Sequence, residues 1–100
     1  METDGNQLRV SDIAEINAVN ASTFRDEVCK AMPSKIEALD IDLSQTRFVD
    51  NTGLGALFAI FKAVSRDHDN VRFRLINPRP AIQQLLELTQ MHQLFEISQK

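Results

Sequence analysis

The chain contains neither tryptophan nor tyrosine, and it has a single cysteine, Cys29. One thiol cannot build an intrachain disulfide framework, so the core must rest on Leu, Ile, Val, Phe and Ala. Basic runs are missing too. Eleven Lys and Arg stand against fourteen Asp and Glu, for a net charge of −3. The electrostatic footprint of a nucleic-acid binder is therefore lacking. No apolar run approaches the roughly 18 residues that a membrane span requires. The amino end also lacks the basic-then-apolar layout of a signal peptide. These absences predict a soluble cytoplasmic protein with no direct nucleic-acid or membrane partner. Glycine is scarce as well: of three in the chain, two, Gly53 and Gly55, flank Leu54.

One hundred residues, 43% of them hydrophobic, suffice for one domain with one core. Residues 1–6 are polar and are expected to be disordered, leaving 7–98 as the folded domain. Leu8 and Val10 alternate, and Ile13 and Ile16 resume out of phase, which predicts an interrupted strand or a small hairpin. Ser11 and Asp12 between them read as a bulge or tight turn. A loop follows over residues 17–20, and Asn20 or Ser22 can cap the next helix. Phe24, Val28 and Met32 recur at the spacing of one buried helical face. Cys29 lies beside that face and reads as a small buried hydrophobe.

Residues 38–44 alternate cleanly, with Leu39, Ile41 and Leu43 on one face and Asp40, Asp42 and Ser44 on the other. The period then changes. Leu54, Leu57, Phe58, Phe61 and Val64 follow a helical repeat. Between the two patterns stands Asp50-Asn51-Thr52-Gly53-Leu54-Gly55. This hexad sits where a helix begins, and the spacing places that start between residues 51 and 54. A simple capped helix start accounts for one polar residue. It does not account for three followed by two glycines, each costing roughly 1 kcal/mol in a helix relative to Ala. The glycines imply that something approaches the backbone closely. The helix itself is apolar almost all round, so it is covered on more than one side or offers surface to a partner.

Asp67-His68-Asp69-Asn70 reads as a solvated connection, with no metal-site spacing. Val71, Phe73 and Leu75 alternate with Arg72 and Arg74, which suggests an edge strand with a charged wet face. Pro80 suits the first turn of a last helix, with Ile82, Leu85, Leu86 and Thr89 as its buried stripe. His92 falls in a loop, and Leu94, Phe95 and Ile97 read as a short final strand or packed tail. The order β–α–β–α–β–α–β predicts an α/β layered domain.

Enzyme chemistry finds little footing. Gly53-x-Gly55 lacks the rest of a P-loop or a dinucleotide fingerprint. Neither His68 nor His92 stands in a pattern that would activate a nucleophile. No catalytic residue, metal or cofactor is expected.

The hexad and its context resemble the STAS domain, the family of the bacterial anti-sigma factor antagonists. Ile41-Asp42-Leu43-Ser44 and then Phe48-Val49-Asp50-Asn51-Thr52-Gly53-Leu54-Gly55 are similar to the family's signature. That signature is Asp-Leu-Ser, then a hydrophobic residue, Asp, Ser, Ser or Thr, Gly and Leu. Ile16-Asn17-Ala18-Val19-Asn20-Ala21 resembles its early Leu-Asp-x-x-Asn-Ala loop. Asn77-Pro78 and the segment from Leu86 to Leu94 match the spacing of its last helix.

The resemblance implies a mixed sheet with helices packed against one face. It implies a partner switch in which Thr52 is phosphorylated by a serine/threonine kinase of the histidine-kinase ATPase fold. The unphosphorylated form captures that kinase, which is also the anti-sigma factor, and a serine/threonine phosphatase restores the capturing form. The partner surface implied is Asn17, Asn20, Asp50, Asn51, Thr52, Gly53, Leu54 and Gly55. Two departures stand out: Asn17 replaces a common Asp, and Asn51 replaces a common Ser, which leaves Thr52 as the single candidate hydroxyl. Asp50 can orient that hydroxyl toward a kinase or contact the partner directly. The competing reading is a docking scaffold or regulatory subunit of a transporter or lipid-transport complex, where the same loop only docks.

Overall fold

The computed structural model describes residues 1–68 and 70–99. The elements, in chain order, are β1 (Glu2–Asp4), β2 (Gln7–Val10), β3 (Glu15–Ile16), α1 (Ala21–Ala31), β4 (Ala38–Asp42), β5 (Phe48–Val49), α2 (Asn51–Asp67), β6 (Arg72–Ile76), α3 (Pro80–Leu88) and β7 (Glu96–Ser98). A short 3-10 turn, Met91–Gln93, joins α3 to β7. Five strands form one mixed sheet in the order β1-β2-β4-β6-β7. The β1–β2 pair is antiparallel and the other pairs are parallel. The described residues thus form a small α/β domain with three α-helices and a mixed sheet.

One face of the sheet builds the core. Leu8, Val10, Leu39, Ile41, Phe73 and Leu75 are buried there, as the period of two requires. Leu57, Ile60 and Val64 of α2, Phe24 and Val28 of α1, and Ile82 and Leu86 of α3 join the same cluster. Phe61 bridges helix to sheet by edge-on contacts with Phe73 and Phe95, at 5.8 and 5.5 Å between centroids.

The opposite face carries a charged row. Strand register aligns Glu2, Arg9, Asp40, Arg74 and Glu96 across all five strands, with signs alternating. Arg74 grips Asp40 with two bonds of 2.6 and 2.7 Å, and the Gln7 amide donates to the same carboxylate at 2.8 Å. Arg72 pairs with Glu96 at 2.7 Å. The arginines therefore do not mark an edge strand. β6 lies between β4 and β7, and its charges are matched by the strands on either side.

Asp42 lies on this charged face. Burial pushes its carboxyl up, but bonds from the Ser44 backbone N–H and hydroxyl and the nearby Arg9 charge outweigh that and hold it below the usual range. A depressed folded pKa stabilises the fold above the unfolded value of about 4, and the contribution disappears as pH falls through the lower folded value. Asp42→Asn should therefore flatten the acid limb of stability below about pH 4. Thermal unfolding followed over acidic pH reads this directly. An unchanged acid limb would show that Asp42 is not the group responsible.

Several local expectations are corrected. Residues 1–6 are not disordered: Glu2–Asp4 pairs with Gln7–Arg9 as a hairpin whose turn uses Gly5 at φ 62°. The interrupted strand is real, but its halves join different sheets, and Asp12 at φ 59° makes the break. Asn20 occupies the α1 cap position without capping it through its side chain. Cys29 is exposed, one position past the buried Val28. Thr89 is exposed, and its hydroxyl donates back to the Leu85 and Leu86 carbonyls. Of the polar connection after α2, Asp69 lies outside the described residues. Among the described residues, no cluster of His, Cys, Asp and Glu could hold a metal, and no helix is long and apolar enough to cross a membrane.

Candidate functional site

A second, two-stranded sheet creates the site. β3 and β5 pair in parallel, with Glu15 opposite Phe48 and Ile16 opposite Val49. The chain leaves both strands at the same end. The 17–20 loop and the start of α2 therefore emerge side by side, although 30 or more residues separate them in sequence.

Asp50 ties the two together. It is the N-cap of α2, and its Oδ1 accepts from the Gly53 N–H at 2.8 Å. Its Oδ2 accepts from the Ala18 N–H at 3.1 Å. One carboxylate thus caps the helix and pins the neighbouring loop. Each of its two oxygens accepts one backbone N–H, so the carboxylate couples the helix start to the loop.

Asn17 and Asn20 shape the loop from inside. Asn17 Oδ1 accepts from the Val19 N–H at 2.9 Å, and Asn20 Oδ1 accepts from the Asn17 N–H at 2.8 Å. The Asn20 amide also donates to the Glu15 carbonyl at 2.8 Å. Both side chains are half-buried. An amide oxygen serves the Val19 N–H as a carboxylate would. The loop instead presents Val19, which is 93% exposed at its tip.

The glycines have different duties. A Cβ on Gly53 would overlap the Ile16 carbonyl oxygen and crowd the Val49 side chain. The close approach inferred for this glycine comes from the chain's own backbone. At Gly55 a Cβ would meet nothing within 4 Å, so no part of the fold requires a glycine there. Gly53 and Leu54 are buried, whereas Asn51, Thr52 and Gly55 are exposed. The helix starts at Asn51, so Thr52 is its second residue. Among the described residues, none bonds the Thr52 hydroxyl.

Two clefts flank this helical turn. On the α1 side, about 260 Å³ is lined by Ser22, Arg25, Thr52 and Gly55 over a floor of Ala21 and Ala56. On the opposite flank, about 340 Å³ of largely apolar cleft is lined by Asn51, Leu54, Gly55, Phe58, Met91 and Leu94. Phe58 belongs to the apolar repeat of α2 and is 37% exposed, so the helix leaves part of its apolar surface uncovered. Val19 and Arg25 also escaped notice. Val19 is a lone hydrophobe in a polar loop, and that mismatch was the available signal. Nothing local marks Arg25, which reaches the site only through the packing of α1 on α2.

The STAS domain family model matches residues 1–100. The crystal structure of a Thermotoga maritima protein, named as a candidate anti-sigma factor antagonist, superposes with a TM-score of 0.83 at 22% identity. The match covers 99% of this chain and 84% of that one. At such identity the likeness establishes a shared fold. No curated protein matches the chain.

Proposed function

Since the chain belongs to the STAS domain family, we propose that it is an anti-sigma factor antagonist switched by phosphorylation of Thr52. Unmodified, it binds an anti-sigma factor that is also a serine/threonine kinase of the histidine-kinase ATPase fold. The kinase moves the γ-phosphoryl group of ATP to the Thr52 oxygen. The bond to ADP breaks, the P–O bond to threonine forms, and the hydroxyl proton is released. A phosphatase hydrolyses the ester and restores the binding form.

The observation carrying this reading is the exposed Thr52 hydroxyl, unbonded among the described residues, in the first turn of a capped helix. Among the described residues none bonds this hydroxyl as a base would, which fits a phosphate acceptor whose chemistry a partner supplies. A phosphate there adds about −1.5 to −2 charges. It meets the positive end of the helix dipole, which the fold tolerates. A partner docked over Thr52 and Gly55 meets added bulk and charge instead. The modification thus breaks a complex without unfolding the domain.

The partner's footprint takes in Val19, Asn51, Thr52, Gly55 and Phe58, the exposed groups around this turn. A standard interface of roughly 800 Å² per partner is consistent with those residues and their neighbours. Amide shift mapping with the purified partner should concentrate on these residues. A footprint on Arg72, Arg74 and α3 would overturn the interface. The function is tested by purifying the protein from its own cells and identifying partners and phosphosites by mass spectrometry. Recovery of a kinase of the stated fold with phosphate on Thr52 supports the switch. Recovery of a transporter ATPase, with no phosphate on Thr52, favours the scaffold reading.

A further inference from the structure

The cleft between α1 and α2 carries an inference about the modified state that rests on the phosphorylation of Thr52 argued above. Ala21 and Ala56 are both buried, 4% and 7% exposed, and these small side chains let the two helices approach closely. The approach sets Ser22 and Arg25 of α1 beside Thr52 and Gly55 of α2, around about 260 Å³ of open space. Ser22 and Arg25 are three residues apart, so they share one helical face. Among the described residues, Arg25 is the one charged group lining the cleft.

We propose that Arg25, assisted by the Ser22 hydroxyl, forms an intramolecular receiver for a phosphate on Thr52. In the unmodified chain the Arg25 guanidinium is barely committed. It touches the adjacent Asp26 at 3.4 Å, and the two side chains are 46% and 60% exposed. Exposed pairs of this kind contribute little. A phosphate offers three strong acceptor oxygens and close to two charges, which suit the planar guanidinium fork far better. The nearby carboxylates compete weakly. Asp26 is well exposed and accepts from Arg25 Nε and Nη2 only at a long 3.4 Å, and both oxygens of Asp50 already accept backbone N–H groups.

The released state is then more than a charged version of the binding state. Arg25 swings across the cleft, and its side chain covers part of the Thr52–Gly55 surface that a partner needs. A carboxylate at position 52 has fewer oxygens and less charge, so it engages Arg25 less fully than phosphate does.

The test is a ³¹P NMR pH titration of the full chain carrying genetically encoded phosphothreonine at position 52. The variants are Arg25→Gln, Ser22→Ala and, as a control for general charge, Lys30→Gln. Arg25→Gln should raise the second phosphate pKa by about half a unit, roughly a threefold change in proton affinity. Ser22→Ala should raise it less, and Lys30→Gln should leave it at the wild-type value. Equal pKa values in wild type and Arg25→Gln would overturn the proposal, as would equal rises from Arg25→Gln and Lys30→Gln. Arg25 is exposed, so the unmodified variant should melt with wild type, and a matching melt excludes misfolding as the cause. Installing the phosphate chemically separates this outcome from the question of whether a kinase uses Thr52, which mass spectrometry of the native protein answers alone.

Discussion

Thr52→Glu is expected to bind the anti-sigma partner more weakly by about 2–5 kcal/mol, or roughly 30- to 4000-fold. The basis is position. Thr52 is exposed on the first turn of α2, between two clefts and beside the protruding Val19. A docked partner desolvates this spot, and a charge buried there without a counter-charge from the partner is costly. Thr52→Ala should behave oppositely and bind constitutively. It removes a hydroxyl that bonds nothing among the described residues, while Asp50 keeps the helix capped. Its effect on stability should stay within about 0.5 kcal/mol, with the better helix propensity of Ala acting in its favour. Chemical denaturation of both variants shows whether the binding difference is independent of folding. Weak binding by Thr52→Ala with intact folding would place the hydroxyl itself in the interface.

The second large effect separates the two glycines. Gly53→Ala should destabilise the fold by about 1–3 kcal/mol or more, because the new methyl must displace the Ile16 carbonyl or distort the first turn of α2. The Ile16 carbonyl also accepts from the Asp50 N–H at 3.3 Å, so moving it loosens the junction that holds both loops. Gly55→Ala should do the reverse. Its Cβ meets open space, and Ala is favoured over Gly within a helix by about 1 kcal/mol. A gain in stability of up to about that size should appear in urea unfolding, together with loss of partner affinity. If Gly55→Ala is both more stable and fully competent in binding, the partner does not sit close over that backbone.

This contrast also shows how much of the site could be read in advance. The change of period after Asp50 places the start of α2 between residues 51 and 54, and the helix begins at Asn51. Periodicity is a local signal, and the strand and helix faces it marks are buried as expected at Leu39, Ile41, Leu43, Leu57 and Val64. What approaches Gly53 is the backbone of Ile16, far away in sequence, and only the β3–β5 pairing brings it there. Two-residue strands are too short to show a period. For the same reason the double role of Asp50 was legible only in part: the cap follows from position, and the bond to Ala18 follows from the fold.

Arg72 and Arg74 looked like an edge because their alternation exposes charge. Edge and interior strands differ by neighbours, and those neighbours, Asp40 and Glu96, lie in other segments. The same limit explains Glu2–Asp4. A polar segment normally stays unpaired, but here Gly5 turns it back onto β2 and backbone bonds hold it. Cys29 follows from geometry. It is one residue past Val28, and a step of 100° around the helix carries it out of the buried stripe.

The central claim is that one phosphate on Thr52 decides whether the partner binds. Titration calorimetry of the unmodified and the kinase-phosphorylated protein against the purified anti-sigma partner tests it most directly. The predicted result is tight binding by the unmodified chain, at least about 30-fold weaker binding by the phosphorylated chain, and a single phosphate on Thr52. Equal affinity of the two forms, or phosphate on Ser44 or Ser65 in place of Thr52, would contradict it.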